Sequence, residues 1–187
     1  MSTTGEKPLR ADARRNRARV LTAAREVFAR DGAEAAIDVI AAEAGVGVGT
    51  VYRHFPTKDL LIEALVAEKF RITTENIRQA LEIEDPWEAF AESLRRNAEV
   101  MAADAGLRDA LVRLSPDIAY TGPGRAELDA LAGRLVDRAQ EAGELRADVT
   151  VQDVAALMAG LCASMGHPEL DWRRHLELLL DGLRTRR

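Results

Sequence analysis

The window from Ile37 to Phe55, IDVIAAEAGVGVGTVYRHF, holds the side chains whose types and spacing point most directly to chemistry. Two short helices meeting around a glycine need apolar residues that face each other across the angle, and Ile40, Ala44, Val46 and Val51 supply them. They also need a small residue at their closest approach, Ala41, and a glycine where the chain turns, Gly45. This is the packing of a helix-turn-helix, whose second helix can enter a DNA major groove. The same stretch contains GVGVGT, which lacks the lysine and the spacing of a phosphate-cradling loop and follows no strand. His54, His167 and His175 do not form a metal-ligand pattern with Cys162, and no Ser/His/Asp or paired-carboxylate arrangement stands out. The expectation is a binding protein with no catalytic residue, no metal and no cofactor, and not an enzyme.

Charge is distributed unevenly around this window. The 187 residues carry a net charge of −5, yet residues 1–58 hold ten Lys/Arg against seven Asp/Glu, which leaves −8 on the remainder. Lys7, Arg10, Arg14, Arg15, Arg17 and Arg19 oppose only Glu6 and Asp12 at the start. A basic arm and head on an acidic body follow from that asymmetry. An apolar fraction of 47% with 30% charged residues excludes wholesale disorder. A single cysteine excludes an intramolecular disulfide framework. The charged start is neither a signal peptide nor an anchor, and no apolar run is long enough to span a membrane, so the chain reads as cytoplasmic.

The elements that must position the window are helical. Val20, Ala24, Val27 and Phe28 predict a helix from about residue 17 that Asp31-Gly32 stops. Short helices fit about 38–45 and 49–55, and Thr57 caps a long one reaching about 82. Asp85-Pro86 opens a helix through about 103, and another covers about 105–114 before the loop SPDIAYTGPG. Leu128, Leu131, Leu135 and Ala139 mark a helix ending near Gly143. Thr150 with Asp153 forms a capping box for a helix to about 166, and Pro168 starts the last. About nine helices without a strand predict an all-α fold. It divides into an arm at 1–16, a three-helix head at 17–60 and a helical body at 61–187.

Residues 17–65 strongly resemble the N-terminal domain of TetR-family transcriptional regulators, through VLTAAREVFARDG, the IA of the second helix, AGV, GTVYRHF and the Lys58–Leu60 pair. The resemblance covers about a quarter of the chain. It implies a bacterial, cytoplasmic homodimer that binds double-stranded operator DNA and carries a ligand-binding body, most commonly a repressor released by a small molecule. By position it places Val48, Gly49, Thr50, Tyr52, Arg53 and His54 on the recognition helix, with Thr50, Tyr52 and His54 at phosphates. Lys58 matches a further backbone contact at a helix start, and Arg53 an exposed position able to read guanine as a bidentate donor. Arg14 and Arg15 match an arm that reaches the minor groove in some relatives. Gly47 and Ala36 stand where relatives usually carry Ser or Thr, so two capping hydroxyls near DNA are absent. A helical interaction module without DNA activity, an activator and a ligand-independent regulator of the same fold are the alternatives.

The body offers two further expectations. Val151, Val154, Met158, Leu161 and Met165 form a heptad-like seam, and Trp172, Leu176, Leu179, Leu180 and Leu183 a second stripe. Two such helices from each subunit can form an intersubunit four-helix bundle. That assigns Val154, Leu161, Met165, Trp172, Leu176, Leu179, Leu180 and Leu183 to a dimer interface. Trp87, Phe90, Leu94 and Met101 recur along one helix, and Leu111, Tyr120, Leu131, Met158 and Cys162 can face them around an apolar pocket for an effector of unknown identity.

Overall fold

The computed structural model describes residues 6–32, 34–112 and 124–185, and their side chains apart from those of 6–10 and 109–112. Among the described residues the regular elements are α1 (Glu6–Asp31), α2 (Ile37–Glu43), α3 (Val48–His54), α4 (Lys58–Ala80), α5 (Pro86–Ala103), α6 (Ala105–Val112), α7 (Arg125–Glu141), α8 (Val151–Ser164) and α9 (Trp172–Leu183). The fold is all-α, as the periodicity requires, with an isolated antiparallel bridge between Leu145 and Arg184.

Most ends follow local chemistry. The Thr57 hydroxyl accepts from the Leu60 amide at 3.2 Å and the Asp85 carboxylate from the Glu88 amide at 2.7 Å. Thr150 and Asp153 exchange both bonds of a capping box, at 2.8 and 3.1 Å. Two starts differ from expectation. Helix α1 begins at Glu6, so the segment expected as an arm is helical from there on. No apolar period marks residues 6–16; good helix formers and pairs such as Arg15 with Asp12 carry the helix instead. The last helix begins at Trp172 and not Pro168, because Asp171 accepts from the amides of Arg173 and Arg174.

Two cores organise the packing. The head core gathers Val20, Ala24, Val27, Phe28, Ile40, Ala41, Val51 and Phe55, and it continues through Leu61 and Leu65 to Met101 and Leu107. Each of the larger side chains among them contributes about 1.5–3 kcal/mol on burial. The division expected at residue 60 therefore coincides with no gap between cores. The body core collects Ile77, Trp87, Phe90, Leu94, Leu135, Leu161, Leu176, Leu180 and Leu183. The stripe expected to meet a second copy is thus largely used within the chain. Leu161, Leu176, Leu180 and Leu183 are buried, while Val154, Met165, Trp172 and Leu179 pack half-buried against the same core. Helix α8 is apolar on nearly every side, so its inward stripe filled the core and left Ala156, Leu157 and Gly160 outside.

Head and body meet most extensively where α1 lies on α6. Gly106 permits this: a Cβ there would overlap the carbonyl group of Arg25. The contact is framed by charge, since Arg25 Nε lies 3.8 Å from Asp104 Oδ2 while Asp104 Oδ1 accepts from the Leu107 amide at 2.8 Å. Gly106→Ala should cost about 1–3 kcal/mol by overpacking, a fall in Tm of about 2–4 °C per kcal/mol. Gly133→Ala, in the interior of α7 with open space around it, should match or exceed the parent. Thermal unfolding of the two variants checks the assignment, and equal Tm values would refute it.

Candidate nucleic-acid interface and body cavity

The turn between α2 and α3 is held from three sides. Gly45 has φ +62°, and the amides of Gly45 and Val46 donate to the Ala42 and Ala41 carbonyls, each at 3.0 Å. This is the closure that a C-terminal glycine allows, with Val46 tucked against the head core. From α1, the Arg19 guanidinium donates to the Gly45 carbonyl at 3.3 Å, placing positive charge at the negative end of α2. Helices α2 and α3 start at Ala36 and Gly47 without a side-chain cap.

Helix α3 buries Val51 and turns its opposite face to solvent. Val48 is 40% and Tyr52 48% exposed, with Gly49 and Arg53 beside them and Thr50 and His54 half-buried on the flanks. Among the described residues Arg53 and Arg14 form no hydrogen bond or ion pair. Lys58 is held loosely, its Nζ 4.0 Å from the exposed carboxylate of Glu34. Such surface pairs contribute about 0–1 kcal/mol, so a phosphate can displace Glu34. Arg15 is paired with Asp12. The sequence count of basic residues missed two structural roles: Arg19 clamps the turn, and Arg17 covers the Phe55 ring at 5.1 Å. The result is a compact face with available cations, a phenol hydroxyl and an apolar methyl-bearing residue, suited to phosphates and base edges.

The body holds a cleft-like cavity of about 440 Å³ between α4, α5, α6, α7 and α8. Of the residues expected at a pocket, Phe90, Leu94, Met101, Met158 and Cys162 line it. Trp87 does not; it is buried in the body core with the Arg184 guanidinium 4.8 Å over its ring. Leu131 packs against the same core and is also absent from the lining. Tyr120 and the Leu111 side chain lie outside the described residues. The apolar pattern gave no hint of the polar wall: Lys69, Ser93, Asn97, Arg108, Arg125 and Asp129. One signal was available, since Leu65, Lys69, Thr73 and Ile77 recur at four-residue steps and put a lysine on an inward stripe. Burial holds the Lys69 ammonium below its ordinary pKa, and it pushes the Cys162 thiol up against the pull of Lys69 and Arg108. Met101 and Cys162 belong both to this lining and to the packing of the head core.

Two family models match the chain. "Bacterial regulatory proteins, tetR family" covers residues 20–65, and "Transcriptional regulator SbtR-like, C-terminal domain" covers 85–185. A TetR transcription regulatory protein from Mycobacterium vanbaalenii is 42% identical over 95% of this chain and 100% of its own, with a TM-score of 0.63. A TetR transcriptional regulator from Streptomyces coelicolor is 35% identical over 91% and 99%, with a TM-score of 0.60. The HTH-type regulator TtgW of Pseudomonas putida, itself uncharacterized, is 39% identical over 80 residues, 42% of this chain and 60% of that protein. This chain therefore spans 60% of the length of that relative.

Arg19 falls just outside the matched head segment, so its clamp is a property of this chain to be tested directly. Arg19→Met keeps the apolar stem and removes the donor. It should cost about 0.5–1.5 kcal/mol and speed amide exchange across residues 45–51 relative to α7. Unchanged exchange in that segment would show that the turn stands without the clamp.

Proposed function

As the chain belongs to the TetR family of transcriptional regulators, we propose that two copies bind a near-palindromic operator and that a small molecule in the body cavity releases them, so that the protein acts as a repressor. The observation that carries the DNA half is the exposed face of α3, braced by Arg19 and the buried Val51. In this assignment Arg53 reads a guanine through O6 and N7, and Val48 touches a base methyl or edge beside the bare Gly49. Thr50, Tyr52, His54 and Lys58 hold phosphates and set the register, with Arg14 and Arg15 following the backbone from the basic start of α1. That α1 is helical from Glu6 makes these two a rigid contact in place of a flexible arm.

Two copies are needed to present α3 to both half-sites. The surface we assign to their contact is the outward face of α8, Ala156, Leu157 and Gly160, together with the exposed Leu178 of α9. Leu157 is 42% and Leu178 56% exposed, and exposed apolar side chains of this size call for cover. The effector half is supported by Met101 and Cys162, which line the cavity and also pack on the head core, so an occupant touches residues shared by both.

Selection from random DNA by the ligand-free protein tests the DNA half of the assignment, with an enriched palindrome expected and none refuting it. Arg53→Ala should relax base preference at one position per half-site, at about 1–3 kcal/mol. Lys58→Ala should weaken all sequences alike, and the slope of log K against log salt should become shallower by about one for each phosphate no longer neutralised. Leu157→Glu should give monomers in sedimentation with the helical content unchanged; a variant that remains dimeric places the interface elsewhere. For the effector, a hundredfold loss of operator affinity needs a coupling of about 2.7 kcal/mol, and operator must weaken the effector by the same factor.

A further inference from the structure

One wall of the cavity carries a charge that nothing described neutralises. Lys69 lines it from α4, and among the described residues its ammonium makes no hydrogen bond or ion pair. The ionisable groups near enough to act on it are Cys162 and Arg125. Asp129, the carboxylate among the described lining residues, is already engaged, accepting from Arg125 Nε at 2.8 and 2.9 Å. Arg108 stands on the same lining and donates to the Met101 carbonyl at 3.3 Å. The remaining surface is apolar, built from Phe70, Ile77, Phe90, Leu94, Leu135 and Met158. A desolvated ammonium without a counter-ion is unfavourable, and an anion brought in by a ligand is the direct compensation. A cationic ligand would be repelled there, and a neutral one would leave the ammonium as it is.

We propose that the cavity takes an amphipathic carboxylate, its oxygens paired with Lys69 Nζ and its hydrocarbon part against Phe70, Ile77, Phe90, Leu94 and Met158; this rests on the effector-binding function proposed above. Its volume of about 440 Å³ lies within the range of small-molecule sites. The carboxylate supplies both the charge and the two acceptors that a lysine with three free donors can use.

Matched pairs test it: decanoate against 1-decanol, and 1-naphthoate against 1-naphthalenemethanol, each titrated calorimetrically into the full chain at neutral pH. The acid of at least one pair should bind about tenfold more tightly than its alcohol. Lys69→Met should bring the two within about threefold without weakening the alcohol, and Lys69→Arg should keep the preference for the acid. Lys69→Met also removes an unpaired, half-buried charge, so its Tm should equal or exceed that of the parent, which separates lost recognition from lost folding. An alcohol that binds as well as its acid, or a preference that survives Lys69→Met, overturns the proposal. If the alcohols alone bind, effector binding stands and the charge assignment falls. If no compound of either pair binds, the carboxylate assignment falls, while effector binding is decided separately by the reciprocal coupling with operator.

Discussion

The placement of the head depends on a spot where two helices meet with no side chain between them. At Gly106 the start of α6 lies directly on the backbone of α1, and the room left there does not admit even a methyl group. Close approach of this kind fixes distance far more sharply than side-chain packing does, because peptide groups cannot change rotamer. It also brings Arg25 within range of Asp104, whose other oxygen begins α6, so orientation and spacing are set by neighbouring residues. Helix α3 packs on α1 and α2 within the head core, and α1 is positioned here.

That dependence explains why the charges of the head divide into two groups. Arg17, Arg19 and Arg25 are engaged along α1 with the Phe55 ring, the Gly45 carbonyl and Asp104, the first two from exposed positions. They hold the helices in place and have little left to offer a polyanion. Among the described residues Arg14 and Arg53 are unpaired, and Lys58 is only loosely held. Net charge counts all six alike, although only the second group can exchange its contacts for phosphates without loosening the fold.

Much of this was legible in the sequence where local chemistry decides the outcome. Thr57, Asp85-Pro86 and the Thr150–Asp153 box start helices because their bonds are made within one turn. The inward residues of α2 and α3 were legible because Gly45 leaves one way for them to meet. Failures came where the pattern had two solutions. Helix α8 is apolar on both faces, so periodicity could not say which stripe the chain keeps, and Leu161 proved to be core. The first turns of α1 have no buried face, so nothing periodic announced them. Pro168 looked like a helix start, but the turn through His167 and Leu170 delays the helix until Asp171 can cap it. Lys69 escapes any pattern of apolar residues, because what marks it is a cation standing on an otherwise apolar stripe.

Helix α4 joins the two ends of the molecule as a single rod, with Lys58 at its tip in the head and Ile77 in the cavity wall. At 1.5 Å per residue those positions lie about 28 Å apart along the axis. A tilt of about 6° about Ile77 would therefore carry Lys58 sideways by about 3 Å. Successive base pairs are separated by about 3.4 Å. Such a tilt would be geared up, at the far end of the rod, into a displacement of nearly one base-pair step.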